Sequence, residues 1–274
     1  MIDRDLIKKA LAEDLQGGED VTSVATISAD SVSTADFTAR KAGVLAGIDM
    51  AKAVLEEVGL TDIVVKKNDG DLLKAGDVIL TVKGDTRAIL LAERTALNFL
   101  GHLSGIATET SLWVGEVAGT KCKVRDTRKT TPGYRALEKY AVRMGGGTNH
   151  RMSLSDAALI KDNHIAAAGG VSQAFSAVRS AFPTAPIEIE VDTLDQLREV
   201  LPLKPELILL DNMSPEMCRQ AVEFVDGQTH LEASGGITRD NARAYAETGV
   251  DYIAIGALTH SAAVLDIGLD LRAE

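Results

Sequence analysis

The sequence has few cysteines, few aromatic residues and no long apolar run, and each scarcity excludes a class of protein. Its two cysteines, Cys122 and Cys218, are far apart in the chain and form no CxxC pair. A disulfide framework or a cysteine metal site needs more thiols at closer spacing. We therefore expect both cysteines to be reduced structural thiols.

Aromatic residues make up only 4% of the 274 residues, and the formal net charge is −11. A nucleic-acid-binding surface would combine a basic stripe with aromatic side chains on which bases stack. We therefore expect no nucleic-acid partner.

Charged residues interrupt the apolar stretches every few positions, so no stretch is long enough to predict a membrane-spanning helix. The first residues, MIDRDLIKKALAEDL, are charged and amphipathic and lack the apolar core of a signal peptide. These patterns predict a cytoplasmic protein with no membrane partner.

The first third of the chain predicts a smaller domain. Residues 2–15 place their apolar side chains on one helix face, 32–40 alternate like a strand, and 48–58 read as a short helix. Gly-Asp pairs at 70, 76 and 84 indicate a meander of short strands with tight turns. We predict an α+β sandwich domain over residues 1–105. The meander also resembles a biotinyl or lipoyl carrier, although no lysine sits at a hairpin tip within a carrier signature.

Residues 88–117 carry a broad apolar stripe at helical spacing, which Gly101 and Gly105 weaken in the middle. This pattern predicts two helices, or one bent helix, connecting the first domain to the rest of the chain.

The remainder repeats a short apolar strand, a polar residue at its end and a helix. The strands are KCKVRD, AALIKD, IEIEVD, LILLDN, HLEASG and YIAIGA. Such alternation predicts a parallel sheet, and six or seven units predict a TIM-like β/α barrel, complete or incomplete, over residues 106–274. Its extreme C-terminus could pack back on the first domain. The alternative, a doubly wound open sheet, usually has a glycine-rich turn after its first strand, which is absent here.

Polar residues at the carboxyl ends of these strands predict the active site, because barrel enzymes carry their chemistry there. In IEIEVD the apolar residues alternate with Glu188, Glu190 and Asp192, so all three acids face one side. Structural salt bridges at Glu190 and Asp211 are the alternative interpretation.

The segment from Arg125 to His164 carries a net positive charge, whereas the rest of the chain is strongly negative. It holds eight Lys/Arg against four Asp/Glu, a net charge of +4, whereas the other 234 residues carry −15. Such a reversal indicates a site for an anionic small molecule. The glycines at 145–147, followed by polar residues and Arg151, resemble an anion-binding turn.

Two late glycine-containing turns predict a phosphate site. Ser234, Gly235 and Gly236 follow one strand, and the run from Ile255 through Gly256 to Ala257 follows the next. Barrels of this class bind phosphate after their last strands with backbone N–H groups and a helix N-terminus.

The same segments resemble the quinolinate phosphoribosyltransferases, also called carboxylating nicotinate-nucleotide pyrophosphorylases. The resemblance covers most of the chain after residue 90. It is carried by ERTALNFLGHLSGIAT, by RDTRKTTPG through KDNH, and by IEIEVD, LILLDN, EASGGI and DYIAIGALTHS. It implies transfer of phosphoribose from phosphoribosyl pyrophosphate to quinolinate, with loss of pyrophosphate and CO2, to give nicotinate mononucleotide for NAD biosynthesis.

The resemblance also implies residue roles. Arg128, Arg151 and Lys161 would hold quinolinate with His150 nearby, and Arg94 would reach in from the second subunit of a homodimer. Glu190 and Asp211 would serve ribose and Mg²⁺, the latter through water. Thr127 would contact substrate and Lys129 phosphate, and the two late turns would hold the 5′-phosphate. Glu190, Asp211, Lys129 and Lys161 would be catalytic. A paralogue with another acceptor, such as the molybdenum-transport-associated relative, stays an alternative.

Overall fold

A computed structural model describes residues 2–273 of the chain. The helices are α1 (Arg4–Leu15), α2 (Val21–Thr26), α3 (Ile48–Glu57), α4 (Thr86–Glu116), α5 (Arg135–Met144), α6 (Asp162–Ala168), α7 (Val171–Ala181), α8 (Leu194–Val200), α9 (Pro215–Val225), α10 (Arg239–Ala246) and α11 (Ala257–His260), with a 3₁₀ turn at Leu201–Leu203. The strands are β1 (Val32–Ala39), β2 (Gly43–Val44), β3 (Asp62–Val65), β4 (Leu72–Leu73), β5 (Val78–Asp85), β6 (Lys123–Arg125), β7 (Ala158–Ile160), β8 (Ile187–Val191), β9 (Leu207–Asp211), β10 (His230–Ser234), β11 (Tyr252–Ala254) and β12 (Ile267–Ala273).

The chain forms two compact units, and the first comprises residues up to 111, 140–145 and the residues from 261 onward. It holds an antiparallel sheet in the order β12-β1-β5-β3 and a small β2-β4 pair. In β1 the alternate residues Ala35, Phe37 and Ala39 are fully buried, as a strand with one face on the core requires. Helix α1 begins where the Asp3 carboxylate accepts a hydrogen bond from the Leu6 N–H at 3.0 Å.

The stretch predicted as two helices or one bent helix is a single helix, α4, of 31 residues. The two glycines of α4 at 101 and 105 are explained by the close packing of this helix against residues 263–265 of the same unit. A Cβ at Gly101 would lie 3.1 Å from the Leu265 carbonyl oxygen, and one at Gly105 would collide with the backbone of Ala263. The two glycines therefore let a neighbouring backbone approach and do not end the helix.

The second unit, residues 112–139 and 146–260, holds the predicted parallel sheet. All six predicted strands form, in the order β6-β11-β10-β9-β8-β7. The register places Glu190 beside Leu209 and Leu209 beside Glu232, and one step further Asp211 beside Ser234. On the outer side of β6, Arg125 pairs with Thr148 in a single parallel bridge.

The sheet curls into a β/α barrel, as predicted. In a flat sheet the two edge strands would lie about 24 Å apart, because five strand spacings of about 4.8 Å separate them. Residues that follow both edges, Thr127 and Lys129 after β6 and Lys161 after β7, nevertheless line one cavity. Among the described residues no ladder joins β7 to β6, so the barrel is open along one seam. This curvature excludes the doubly wound open sheet.

Within residues 2–273 no helix has both the length and the apolar character needed to cross a membrane. Cys122 and Cys218 are both buried and free. Burial raises the pKa of Cys122 to about 12 and that of Cys218 to about 11, so both thiols stay protonated near neutral pH.

The glycines at 145–147 do not line the cavity, in contrast to an anion-binding turn. Gly145 follows the end of α5 and donates a hydrogen bond from its N–H to the Ala141 carbonyl. A Cβ at Gly145 would collide with the carbonyl oxygen of Ala107 and the side chain of Thr110 on α4. The glycine therefore serves the contact of α4 with the end of α5.

Replacing Gly145 with alanine should lower the free energy of unfolding by about 1 to 3 kcal/mol, the usual cost of an overpacked contact that the backbone must relieve. The matched control is Gly115→Ala, since Gly115 lies in α4 with open space around it. This control should be neutral or should stabilise by up to about 1 kcal/mol. Urea denaturation measures both, and equal stability of the two variants would contradict the packing argument.

Candidate active site

A cavity of about 770 Å³ lies at the carboxyl ends of the barrel strands. Of the residues predicted for the site, those lining it are Thr127, Arg128, Lys129, His150, Arg151, Lys161, Glu190, Asp211, Ser234, Gly235, Gly236, Ile255, Gly256 and Ala257. The structure thus brings together residues that lie at or just after the carboxyl ends of the strands of the second unit. Arg94 is an exposed residue of α4 in the first unit, and its role in a partner's site stays a prediction.

Two arginines give the cavity a cationic wall. Arg128 and Arg151 each bury an Nε–H that has no hydrogen-bond partner among the described residues. Burial lowers the pKa of Arg151, and repulsion from Arg128 lowers it further. Two half-buried guanidinium groups that repel each other and keep an unused Nε–H donor each fit an anionic ligand.

Two carboxylates form the opposite side of the cavity. Glu190 is buried and accepts a hydrogen bond from the Lys161 ammonium at 2.8 Å. Burial raises the pKa of Asp211, and the negative charges of Glu190 and Asp192 raise it further. Lys161 is therefore already paired with an acid, and the acids converge closely enough to favour a cation between them.

His150 is held in one tautomer. Its Nδ1 accepts the Arg151 backbone N–H at 2.7 Å, so the imidazole proton is on Nε2, which donates to Glu188 Oε2 at 2.7 Å. One ligand atom from each of His150, Glu188 and Glu232 lies within 4.8 Å of the others. Because both ring nitrogens are engaged in hydrogen bonds, His150 has no free lone pair for a metal ion. The cluster is therefore joined by hydrogen bonds and does not bind a metal ion through His150.

A fully buried ion pair fixes the segment that carries His150 and Arg151. The Lys139 ammonium donates to Asp126 Oδ1 at 2.5 Å and to the carbonyls of His150 and Arg151 at 2.8 and 3.0 Å. Asp126 in turn accepts the backbone N–H of His150 at 2.9 Å and the side-chain amide of Asn149. Burial lowers the pKa of Lys139, and the bond to Asp126 opposes that shift. One pair therefore ties the end of β6 to the 149–151 segment.

The late turns have the backbone that the phosphate prediction requires. Gly235 and Gly236 have φ angles of +87° and +63°, and a Cβ at Gly235 would collide with Asn212. A Cβ at Gly256 would lie 2.9 Å from Lys129 Cδ. Glycine is therefore required at 235, by both its positive φ and its contact with Asn212, whereas at 256 it brings the backbone close to the Lys129 side chain.

Sequence reasoning missed several residues of the site. Glu232 lines the cavity, and the buried pair of Lys139 and Asp126 holds the segment that carries His150 and Arg151. The alternation in HLEASG puts Glu232 on the same strand face as Ser234, and that signal could have found it. Lys139 lies ten or more residues from its partners and has no comparable signal.

Two consecutive segments of the sequence match the two domains of one known protein family. Residues 106–270 match the family described as quinolinate phosphoribosyl transferase, C-terminal domain, and residues 20–104 match its N-terminal domain. The chain is 53% identical over 274 residues to the carboxylating nicotinate-nucleotide pyrophosphorylase of Mycobacterium leprae, covering 98% of this chain and 96% of that one. It is 41% identical to a probable enzyme of the same name from Bacillus subtilis, covering 97% and 92%.

Solved structures agree in fold. The crystal structure of NadC from Streptococcus pyogenes superposes with a TM-score of 0.95 at 40% identity, covering 98% of this chain and 96% of that one. The nicotinate-nucleotide pyrophosphorylase from Francisella tularensis gives a TM-score of 0.94 at 39% identity, covering 99% and 98%.

Replacing Lys139 with methionine should lower the free energy of unfolding by about 3 to 5 kcal/mol, because it leaves the buried Asp126 carboxylate without its cation. The comparison variant is Arg198→Met, since Arg198 pairs with Asp195 on an exposed turn of α8. That variant should change stability by less than about 0.5 kcal/mol. Thermal or urea unfolding distinguishes the two, and a Lys139→Met protein of unchanged stability would refute the buried-pair argument.

Proposed function

The chain belongs to the quinolinate phosphoribosyltransferase family, and we propose that it transfers phosphoribose from phosphoribosyl pyrophosphate to the ring nitrogen of quinolinate. Pyrophosphate leaves in this step, and the 2-carboxylate then leaves as CO2. The product is nicotinate mononucleotide, so the enzyme is a decarboxylating pentosyltransferase of NAD biosynthesis. Its relatives are named for this reaction.

The unused donors of Arg128 and Arg151 are the observation that carries the proposal. Quinolinate is a planar dicarboxylate, and a guanidinium fork pairs with a carboxylate through two parallel hydrogen bonds. Two such forks beside His150 account for two carboxylates on one ring. A neutral or monocarboxylate acceptor would leave one of the two half-buried guanidinium groups without an anion.

Phosphoribosyl pyrophosphate would occupy the other half of the cavity. The turns at 234–236 and 255–257 offer backbone N–H groups to the 5′-phosphate, and Lys129, close to Gly256, adds a cation. Glu190 and Asp211 lie at the ends of neighbouring strands, where they can accept hydrogen bonds from the ribose hydroxyls. Thr127 would contact the same substrate, and its hydroxyl accepts the Lys129 backbone N–H at 3.1 Å and so shapes this turn.

Magnesium fits the donor set that Glu190 and Asp211 present. Both are hard oxygen ligands, and the raised pKa of Asp211 reflects burial and the neighbouring negative charge that a divalent cation would neutralise. These two residues would hold the ion through water. When bound, magnesium neutralises the pyrophosphate leaving group.

The chemistry needs no protein nucleophile. As the bond from ribose C1 to pyrophosphate breaks, positive charge develops on the sugar, and Glu190 and Asp211 stabilise it from fixed positions. Lys161 donates a hydrogen bond to Glu190 at 2.8 Å and so orients that carboxylate. The cationic wall fixes the ring so that its nitrogen meets C1 in the geometry of attack.

Activity can be tested with magnesium, phosphoribosyl pyrophosphate and either quinolinate or nicotinate. We expect turnover with quinolinate alone, and turnover with nicotinate would favour a paralogue with another acceptor. The Arg128→Ala variant should lose roughly 10- to 150-fold in kcat/KM for quinolinate, since a charge-assisted hydrogen bond contributes about 1.5 to 3 kcal/mol. Its control, Arg219→Ala on the exposed side of α9, should keep wild-type activity. Normal turnover by folded Arg128→Ala would end the assignment.

We also propose a homodimer in which Arg94 completes the partner's site, and a cytoplasmic location. The family resemblance is the support for the dimer, together with the exposure of Arg94 on α4. An arginine from another chain would add a third cation for the dicarboxylate.

Mixing two inactive variants tests the shared site. Arg94→Ala and Lys161→Ala should each be nearly inactive, and they are unfolded together and refolded as a random mixture. Half of the dimers would be mixed, and each mixed dimer would hold one site with both changes and one intact site, so about a quarter of wild-type activity should return. If Arg94 acts in its own chain, every site keeps one change. Absence of recovery in refolded dimers would then remove Arg94 from the partner's site.

A further inference from the structure

The reaction needs one proton for which the groups named so far give no source. When the 2-carboxylate leaves as CO2, its bonding electron pair stays on ring atom C2, and C2 must take up a proton. Arg128 and Arg151 hold their protons too tightly to donate them. Lys161 is bonded to Glu190. A buried acid at the floor of the cavity would supply this proton directly.

Glu232 occupies that position. It lines the cavity, yet its side chain is fully buried. Its Oε2 accepts a hydrogen bond from Arg125 at 2.6 Å, whereas its Oε1 has no hydrogen-bond partner among the described residues. The nearest donor to Oε1, His150 Nε2, is 3.6 Å away and donates to Glu188 instead. A buried carboxyl oxygen without a partner is rare and calls for an explanation.

The charges around Glu232 favour a proton at that oxygen. Glu188 and Glu232 are both buried carboxylates, and Arg125 pairs with Glu232 at 2.6 Å while its guanidinium lies 4.5 Å from the centre of the Tyr252 ring. Burial, and then the charge of Glu188, raise the pKa of Glu232 to about 7, against the opposing effects of Arg125 and His150. The charge of Glu232 in turn contributes to the raised pKa of the buried Cys122 thiol, after burial and the charge of Asp251.

The strand register places Glu232 within reach of the ring. Glu190, Leu209 and Glu232 lie side by side on β8, β9 and β10, and all three line the cavity. The outer two strands are about 9.5 Å apart, which leaves room for one aromatic ring over the apolar Leu209. If the ring nitrogen faces the ribose, which is held near Glu190 and Asp211, then the neighbouring ring atom C2 lies on the side of the ring that faces Glu232.

We propose that Glu232 is the acid of the decarboxylation half of the reaction, a role that rests on the proposed function. The C2–carboxylate bond breaks and CO2 leaves with the electron pair remaining on C2, which takes the proton from Glu232 Oε1. Glu232 becomes a carboxylate that Arg125 already balances, and it regains a proton from water after the product leaves. Because CO2 loss can reverse until C2 is protonated, the acid makes the step irreversible.

The test separates the two halves of the reaction in a single turnover. Enzyme in excess is mixed with magnesium, phosphoribosyl pyrophosphate and quinolinate labelled in the 2-carboxylate, and pyrophosphate and labelled CO2 are followed separately. In Glu232→Gln, which keeps an oxygen for Arg125, pyrophosphate should form within about threefold of the wild-type rate. Release of CO2 should slow on the order of 100-fold, and a nucleotide that keeps both carboxylates should accumulate. The control is Glu223→Gln on the exposed face of α9, which should match wild type in both steps.

The outcomes are distinct. No pyrophosphate from the wild-type enzyme would contradict the proposed function itself. Pyrophosphate and CO2 both formed at wild-type rates by Glu232→Gln would overturn the role of Glu232 and leave water or Lys161 as the donor.

A second measurement, on the wild-type enzyme, tests the role of Glu232 even if the Glu232→Gln variant does not fold. An acid must be protonated to act, so CO2 release should slow as pH rises above the pKa of Glu232 in the complex, while pyrophosphate formation changes less. Rates of CO2 release that stay constant from pH 6 to 10 would refute the proposal.

Discussion

The ion pair of Lys139 and Asp126 is the interaction on which the pocket depends. Neither side chain is exposed, and together they bond the carbonyls of His150 and Arg151, the N–H of His150 and the amide of Asn149. A buried pair of this kind is costly to desolvate and contributes little net stability by itself. The pair instead fixes the loop at 149–151 in one conformation, because each of its bonds is made to that loop. This loop carries the imidazole of His150 and the guanidinium of Arg151.

The rest of the site combines cationic and anionic side chains around one cavity. Arg128 and Arg151 keep unused donors, and Lys161 pairs with Glu190. Because the barrel is curled, residues that lie in or just after its six strands reach the same space. A substrate pair with negative charge at both ends and developing positive charge in the middle is complementary to this arrangement.

The sequence predicted those parts that depend on local patterns. Strand ends such as Glu190 and Asp211 were predictable because parallel strands bring their carboxyl ends to one edge of the sheet. Gly101 and Gly105 were misleading because their cause is a backbone segment more than 150 residues later, which no local pattern encodes. Lys139 and Asp126 belong to the same class: 13 residues separate them, and only the fold makes them partners. Glu232 lay within an alternating strand, but its burial and its orphaned oxygen are visible only in three dimensions.

The pairing of β12 with β1 has a consequence for synthesis on the ribosome. Asp36 lies opposite Asp270, so the edge strand of the first sheet is supplied from residues more than 200 positions later. The first unit cannot finish folding while the second is still being made, and β1 must wait with an unpaired edge throughout elongation. Long-range pairings of this kind are slow to form and expose an edge that can pair wrongly. The unit that is synthesised first is therefore completed last, and the unpaired edge of its β1 is the surface that a chaperone would have to protect.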